Sequence, residues 1–209
     1  QLLGDHTAAP CVRDVFELYL AINVARDGEE SKRVPAVAMQ LHNDCAYLSL
    51  QLTSMISPVS LTDVYVPLCA AATTAITTLQ TSLCASIQAA AAEAGGYHDA
   101  HVDSRRRQIE RALSIIVHEL KQAMALLSDD AILPRHRHTL LLTAVVAAAA
   151  DSVVSEVLAL QDIGDDESAA LHDVLEKQLL LPVRHTIGAD VAVAAAKSIR
   201  RLEAVVAIL

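Results

Sequence analysis

The apolar residues of this chain recur with the 3.6-residue period of an α-helix rather than the two-residue period of a strand. One such stripe, in residues 35–56, consists of Val37, Leu41, Cys45, Leu48, Leu52 and Met55. Another, in residues 103–127, consists of Ile109, Leu113, Ile116, Leu120, Met124 and Leu127. Since side chains three or four positions apart share one face of a helix, each stripe predicts an amphipathic helix with one buried side.

Glycine and proline divide the remaining sequence into further helical patterns. These cover residues 10–25, 61–94, 136–161 and 166–181, and the stretch after Gly188. The predicted breaks lie at a charged loop of residues 26–33, at Pro58, Gly95-Gly96, Pro134 and Pro182. In the first pattern the residues expected to share the buried face are Val12, Phe16, Tyr19 and Ile22. Residues 140–150 are almost entirely apolar, which predicts a helix buried on most sides.

The sequence therefore predicts an all-α fold. No run alternates over the length of a strand, and no Asn-Gly or Asp-Gly hairpin turn occurs. Long helices joined by short connections favour an elongated antiparallel bundle, or rod, of about seven helices. Residues 1–209 are interpreted as a single domain, and the loop at residues 95–103 is where a sub-division is expected.

The net charge narrows the classes of partner. The formal charge is −9, whereas nonspecific nucleic-acid binding requires many Lys and Arg contacts to phosphate. The same acidity disfavours adsorption to anionic lipid. Aromatic residues make up 2% of the chain, which disfavours a β fold and an aromatic-lined ligand pocket. We therefore expect neither nucleic acid nor an anionic membrane surface as the direct partner.

The cysteines and the apolar segments bear on the compartment. Cys11, Cys45, Cys69 and Cys84 form no CxxC pair, which favours free buried thiols in a reducing cytosol. Residues 64–92 lack formal charge, but polar residues off the apolar stripe favour a core helix over direct transmembrane insertion. No signal peptide is recognisable, and a start at Gln1 is expected for a fragment or a mature form.

The octet LHNDCAYL, residues 41–48, gathers residue types that bind metals or transfer protons. In a helix His42 lies beside Cys45, but a zinc site would need a second pair of ligands. His98 and His101 follow a double glycine and have the character of a loop. The sequence contains no GxSxG motif and no glycine-rich phosphate loop. We therefore predict no enzyme activity, no cofactor and no resident metal.

Two short basic runs are candidate contacts for an acidic partner. Arg105, Arg106 and Arg107 stand near the N-terminus of a predicted helix, where positive charge is unfavourable. Arg135 and Arg137 alternate with two histidines that add charge at mildly acidic pH. An acidic partner or nearby acids would compensate these charges, and a solvated helix edge is the alternative interpretation.

Several short segments stand in a particular order along the chain. They are VFELY at 15–19, LHNDCAY at 41–47, YVP at 65–67, VHELK at 117–121, SEV at 155–157 and ALQDI at 159–163. In the residues of each segment, in their order and in their separation along the chain, this set resembles the C-terminal region of the Zeste-white-ten (Zw-ten) family, the metazoan counterpart of the Dsl tether subunit. The resemblance covers about residues 12–170. Beyond it the family usually has a longer polar insert and a Trp-containing stretch, whereas this chain has no Trp.

This resemblance implies a non-enzymatic, rod-like subunit of a multisubunit tethering complex. It implies a cytoplasmic, peripheral location on the endoplasmic reticulum, in a Dsl-type (NRZ) complex that captures Golgi-derived vesicles in retrograde transport. In animals the same subunit joins the Rod–Zwilch complex at kinetochores, in the mitotic checkpoint. The implied direct partner is a large α-helical subunit, Sec-thirty-nine/NAG-like or Rod, with other tether subunits and, indirectly, SNARE proteins. His42 and Asn43 then belong to a packing and docking segment.

The residues also leave open an α-helical module that binds a metal or a small ligand. It would use His42, Cys45 and the loop that contains His98 and His101. The scaffold interpretation predicts an extended shape, no bound metal and tight binding to a large helical protein. The module predicts a compact bundle with stoichiometric metal or ligand.

Overall fold

The chain is largely helical in the part that the computed structural model describes, which is residues 5–55, 61–127 and 135–209. Within these ranges it forms ten α-helical segments and two π-helical turns, and contains no strand. The all-α prediction is therefore confirmed. Because several segments follow one another without a loop, they group into about seven helical runs, as the sequence predicts. The predicted breaks at Pro58 and Pro134 lie outside the described residues.

The helices follow one another in this order. The first run comprises α1 (Asp5–Tyr19), a π-helical turn (Leu20–Val24) and α2 (Ala25–Glu30). Four long helices follow, namely α3 (Pro35–Met55), α4 (Thr62–Ala92), α5 (Asp103–Leu127) and α6 (Arg135–Leu158). The C-terminal part comprises α7 (Asp165–Leu175), a second π-helical turn (Glu176–Leu180), α8 (Leu181–Thr186), α9 (Ala189–Ala194) and α10 (Ala196–Ile208).

The loop predicted at residues 26–33 is wrong for most of its length, because α2 carries the helix on to Glu30. Gly28 lies inside α2, and a Cβ built on it would meet nothing within 4 Å. Ser31 follows the last turn, and its hydroxyl donates to the Gly28 carbonyl at 2.9 Å. Arg26 pairs with Asp27 at 2.7 Å. The charged residues of this segment thus lie on a solvent-exposed helix and do not mark a loop.

The helix end predicted at Pro182 is also wrong. The second π-helical turn connects α7 to α8 without a break, and Pro182 occupies the first turn of α8. A π turn lengthens the backbone hydrogen bond to an i→i+5 pattern, which interrupts the regular ladder of i→i+4 donors. Proline lacks an N–H, so it is tolerated where that ladder restarts.

The described residues divide into two compact units, Gln1–Thr81 and Ser82–Leu209, with the division inside α4 and not in the loop at residues 95–103. In the first unit the core lies between α3 and α4, and α1 with its π turn packs against it. The buried core residues are Leu41, Cys45, Leu52, Leu61, Val64, Leu68, Ala72 and Ala75. The single-domain organisation and the elongated outline of the bundle stay predictions.

In the second unit, α5 is the amphipathic helix that the sequence predicts. Its buried residues are Ile109, Ala112, Leu113, Ile116, Val117, Leu120, Ala123 and Leu127. This face packs against α6, α7, the second π turn and α8, and α6 also packs against α9 and α10. One continuous apolar face on α5 thus holds four neighbouring elements together.

Two helices, Thr62–Ala92 and His136–Leu158, are long and apolar enough to cross a membrane by length and composition alone. Most of residues 140–150 are buried or half-buried, as predicted: Leu141, Val145 and Val146 are buried, whereas Leu140 is 61% exposed. On α4 the Thr73 and Thr81 hydroxyls donate to the carbonyls four residues earlier. Core helices of soluble proteins pass the same test, so it is weak support for a membrane location.

Candidate partner-binding surface

His42, a predicted partner-binding residue, lies in the core of the first unit. Its side chain is 5% exposed, and its Nδ1 lies 2.8 Å from the Ala72 carbonyl of α4. If Nδ1 carries the proton, it donates to that oxygen and ties α3 to α4. The imidazole is therefore occupied in helix packing, and we remove His42 from the candidate surface. Asn43, its neighbour, is half-buried.

Cys45 is also part of the core of the first unit. The Cys45 side chain is fully buried. Burial raises the pKa of its thiol to about 11, although the hydrogen bond with the Tyr19 hydroxyl acts in the opposite direction. Metals bind the thiolate rather than the thiol, so this environment disfavours coordination. All four cysteines are free, as predicted, but only Cys45 is buried.

Arg105 lies in the first turn of α5 and binds the loop that joins α4 to α5. Its Nη2 donates to the Gly95 carbonyl at 3.1 Å and to the Gly96 carbonyl at 3.0 Å. Its Nη1 donates to Oε1 of Gln108 at 2.7 Å. Gly95 and Gly96 both have positive φ, at 64° and 89°, a conformation that glycine adopts at little cost. Arg105 thus holds a left-handed turn closed instead of offering its charge to a partner.

Arg106 connects α5 to α7. Its Nη2 lies 2.6 Å from Oδ2 of Asp173, and its Nε lies 3.0 Å from Oε1 of Glu110. Hydrogen bonds to Glu110 and Asp173 raise the pKa of Arg106 above its ordinary value. Nearby acids therefore compensate this positive charge, which is the alternative that the sequence left open.

The remaining basic candidates lie at the surface or begin a helix. Arg107 and Arg137 are exposed. Arg135 is the first residue of α6, and its side chain lies outside the described residues. Beside Arg137, a cleft of about 220 Å³ is lined by His138, Met124 and Asp190, among others. This volume lies below the range of about 300–1,000 Å³ that is typical of small-molecule sites.

The most distinctive surface of the first unit was missed by the sequence patterns. Val15, Leu18 and Ile22 are 64%, 59% and 53% exposed, and their spacing of three and four places them on one side of the helical run. Cys11, one turn before Val15, is exposed too. We call these four residues the α1 stripe. A row of exposed apolar side chains on one side of a helix is a candidate protein contact site.

The π-helical turn explains why the α1 stripe was missed. The sequence predicted that Ile22 shares the buried face with Val12, Phe16 and Tyr19. The turn at Leu20–Val24 has a longer period than an α-helix, so the face rotates within it. Leu20 and Val24 pack against the core instead, while Ile22 is exposed.

The surroundings of the α1 stripe are acidic. Asp14 and Glu17 are exposed on the same helix. Arg13, the nearest basic residue along the chain, is engaged by Asp63, with its Nε 3.0 Å from Oδ2. A second pair of exposed apolar side chains, Tyr47 and Leu50, lies on α3 at a spacing of three. An apolar helix with basic flanks is the partner that this chemistry would accept.

The fold and the α1 stripe define an all-α protein with an unpartnered apolar helix face. Comparison of the chain with protein-family models, with curated proteins and with solved structures finds no match.

Proposed function

We propose that this chain is a non-enzymatic scaffold subunit that docks a large α-helical partner through the α1 stripe. The observation that carries the proposal is the exposure of Val15, Leu18 and Ile22 on one side of a helix whose other side is packed. An amphipathic helix recognises such a face through side chains at matching three- and four-residue intervals. The helices supply the surface, and buried core residues keep it in place.

The finer proposal is that the scaffold belongs to a Dsl/NRZ-type vesicle tethering complex in Golgi-to-endoplasmic-reticulum transport. It rests on the ordered segments between residues 15 and 163 that resemble the Zw-ten C-terminal region. In that setting the partner is a Sec-thirty-nine/NAG-like subunit. A kinetochore role, with Rod as the partner and Zwilch in the same complex, follows from the same resemblance.

Affinity capture of the intact chain from a cell extract tests this proposal. We expect recovery of a Sec-thirty-nine/NAG-like protein for the tethering role, or of Rod for the kinetochore role. A double variant, Val15→Asp with Leu18→Asp, should lose the captured protein because charges replace the apolar contacts. Both residues are exposed, so the double variant should unfold at nearly the same denaturant concentration as the original chain.

Val193→Asp is the matched control, because Val193 is 78% exposed on α9 and is no part of the α1 stripe. It should capture the same partner as the unaltered chain. Recovery of neither partner refutes the tethering and kinetochore roles. Equal loss in the control and in the α1 variant refutes the proposed docking surface.

A further inference from the structure

Three metal-ligating side chains converge where the loop after α4 meets the first turn of α7. They are Asp99, His101 and Glu167, and one ligand atom from each lies within 4.8 Å of the other two. We propose that this cluster is a site for a divalent transition-metal ion of the Zn²⁺ class, which joins the loop at residues 95–102 to α7. All three residues belong to the second unit.

The backbone brings the loop and the helix together before any ion binds. Asp99 has a positive φ of 58°, and its backbone N–H donates to Oε1 of Glu167, 68 residues further along the chain. This hydrogen bond directs the Glu167 side chain toward the loop. An ion at about 2.0–2.2 Å from each ligand would bring the ligand atoms to roughly 3.4 Å from one another in tetrahedral geometry. Asp99 and His101 are exposed, and rotation of their side chains would bring their ligand atoms closer to Glu167.

The charges around the cluster favour a cation. Asp165, Asp166 and Glu167 all lie in the first turn of α7, and Asp99 adds a carboxylate from the loop. Within the described part of the chain, no Lys or Arg forms an ion pair with Asp99 or Glu167. The helix N-terminus compensates only part of this charge. A divalent ion would neutralise the repulsion that remains.

The donor set indicates which ion. His101 supplies an imidazole nitrogen beside two carboxylates, and imidazole suits zinc, copper, iron and nickel, whereas calcium and magnesium prefer oxygen ligands alone. Asp99 and His101 are exposed and Glu167 is half-buried, so water would complete the coordination. The neighbouring His98 is exposed but is no member of the cluster.

The proposed metal site and the proposed docking function can be refuted independently of each other. The cluster uses no residue of the α1 stripe, and an ion that joins a loop to a helix is compatible with a scaffold. A filled site would correct the expectation of a scaffold without metal, and would leave the proposed contact of the α1 stripe untouched.

Titration of the full chain with Zn²⁺, followed by calorimetry and by the thermal unfolding midpoint, tests the proposal. We expect one saturable site per chain and an unfolding midpoint that rises with Zn²⁺. His101→Ala and Glu167→Gln should each weaken binding by about tenfold or more. Asp99→Asn should weaken binding as well, because it removes a carboxylate. The loop should keep its conformation in this variant, because asparagine also tolerates positive φ.

His98→Ala is the matched control, because it removes an imidazole from the same loop but not from the cluster. It should bind Zn²⁺ like the original chain, and circular dichroism should report unchanged helix content in every variant. Equal weakening in His98→Ala and His101→Ala would overturn the proposal. So would the absence of saturable binding, the survival of the site in all three ligand variants, or tighter binding of Ca²⁺ than of Zn²⁺.

Discussion

At the scale of the residue, the same amino acid has opposite consequences in different backbone conformations. Gly28 lies inside α2 with open space around it, whereas Gly95 follows the end of α4 and has a φ of 64°. A Cβ on Gly95 would lie 3.2 Å from Nε2 of Gln108. The sequence patterns placed both glycines at helix boundaries. Gly95 does lie just past a helix end, where its positive φ favours a residue without a Cβ, whereas Gly28 lies inside a helix.

Gly28→Ala should therefore stabilise the protein by about 0.5–1 kcal/mol, since alanine reduces the freedom of the unfolded chain without a clash. Gly95→Ala should destabilise it by about 1–2 kcal/mol, the cost of a left-handed conformation for a residue with a Cβ. Denaturant unfolding of the two variants beside the original chain measures both changes. Effects of the same sign would contradict the assignment of Gly28 to a helix interior.

Cys45 predicts a pH dependence of stability. Its pKa is raised from 9.0 to about 11 in the folded chain because burial disfavours the thiolate. Between pH 9 and about pH 11, the Cys45 thiol has lost its proton in the unfolded chain and retains it in the folded chain. The free energy of unfolding therefore falls as pH rises from about 9 to about 11, by up to about 2.7 kcal/mol at about 1.36 kcal/mol per pH unit.

Cys45→Ala should remove this part of the slope, and urea unfolding measured from pH 8 to pH 11 checks it. Cys11→Ala, at an exposed thiol, should keep the slope of the original chain. If the free energy of unfolding falls equally with pH in the original chain and in Cys45→Ala, Cys45 is not the source of the pH dependence.

At the scale of the element, packing between helices decides what a charged residue does. Arg106 lies between Glu110 on its own helix and Asp173 on α7, and Lys177 also pairs with Asp173. The hydrogen bond from Lys177 and then that from Arg106 lower the pKa of Asp173. This contribution to stability is present above the ordinary pKa of an aspartate, and is lost as pH falls through the lowered value.

A double-mutant cycle of Arg106→Ala and Asp173→Ala should therefore give a small favourable coupling, as is typical of solvent-exposed ion pairs. Both side chains are partly exposed, so the coupling should shrink as salt rises from low ionic strength to about 1 M. Zero coupling at low salt would mean that α5 and α7 are held together by their apolar contacts alone.

At the scale of the whole molecule, the sequence predicts the fold class well and the candidate site poorly. The α5 stripe is read correctly because its 3.6-residue period is unbroken, and Ile109, Leu113 and Ile116 are all buried. Ile22 was predicted to lie on the buried face, but the π turn at Leu20–Val24 rotates the later side chains around the helix axis. Neither the composition nor the period of the sequence signals such a turn. The carbonyls that Arg105 binds and the Asp173 carboxylate that pairs with Arg106 lie on other elements, so the sequence alone could not choose between a partner and nearby acids.

The proposed scaffold function depends on binding of a helical partner by the α1 stripe. Equilibrium titration of the purified chain with a purified Sec-thirty-nine/NAG-like subunit and, separately, with Rod measures this binding. We expect saturable binding to one of the two. Binding should be at least tenfold weaker for the double variant Val15→Asp with Leu18→Asp, which corresponds to about 1.4 kcal/mol or more, and unchanged for Val193→Asp. Binding of equal strength by all three chains would refute the proposed contact, and so would the absence of binding to both partners.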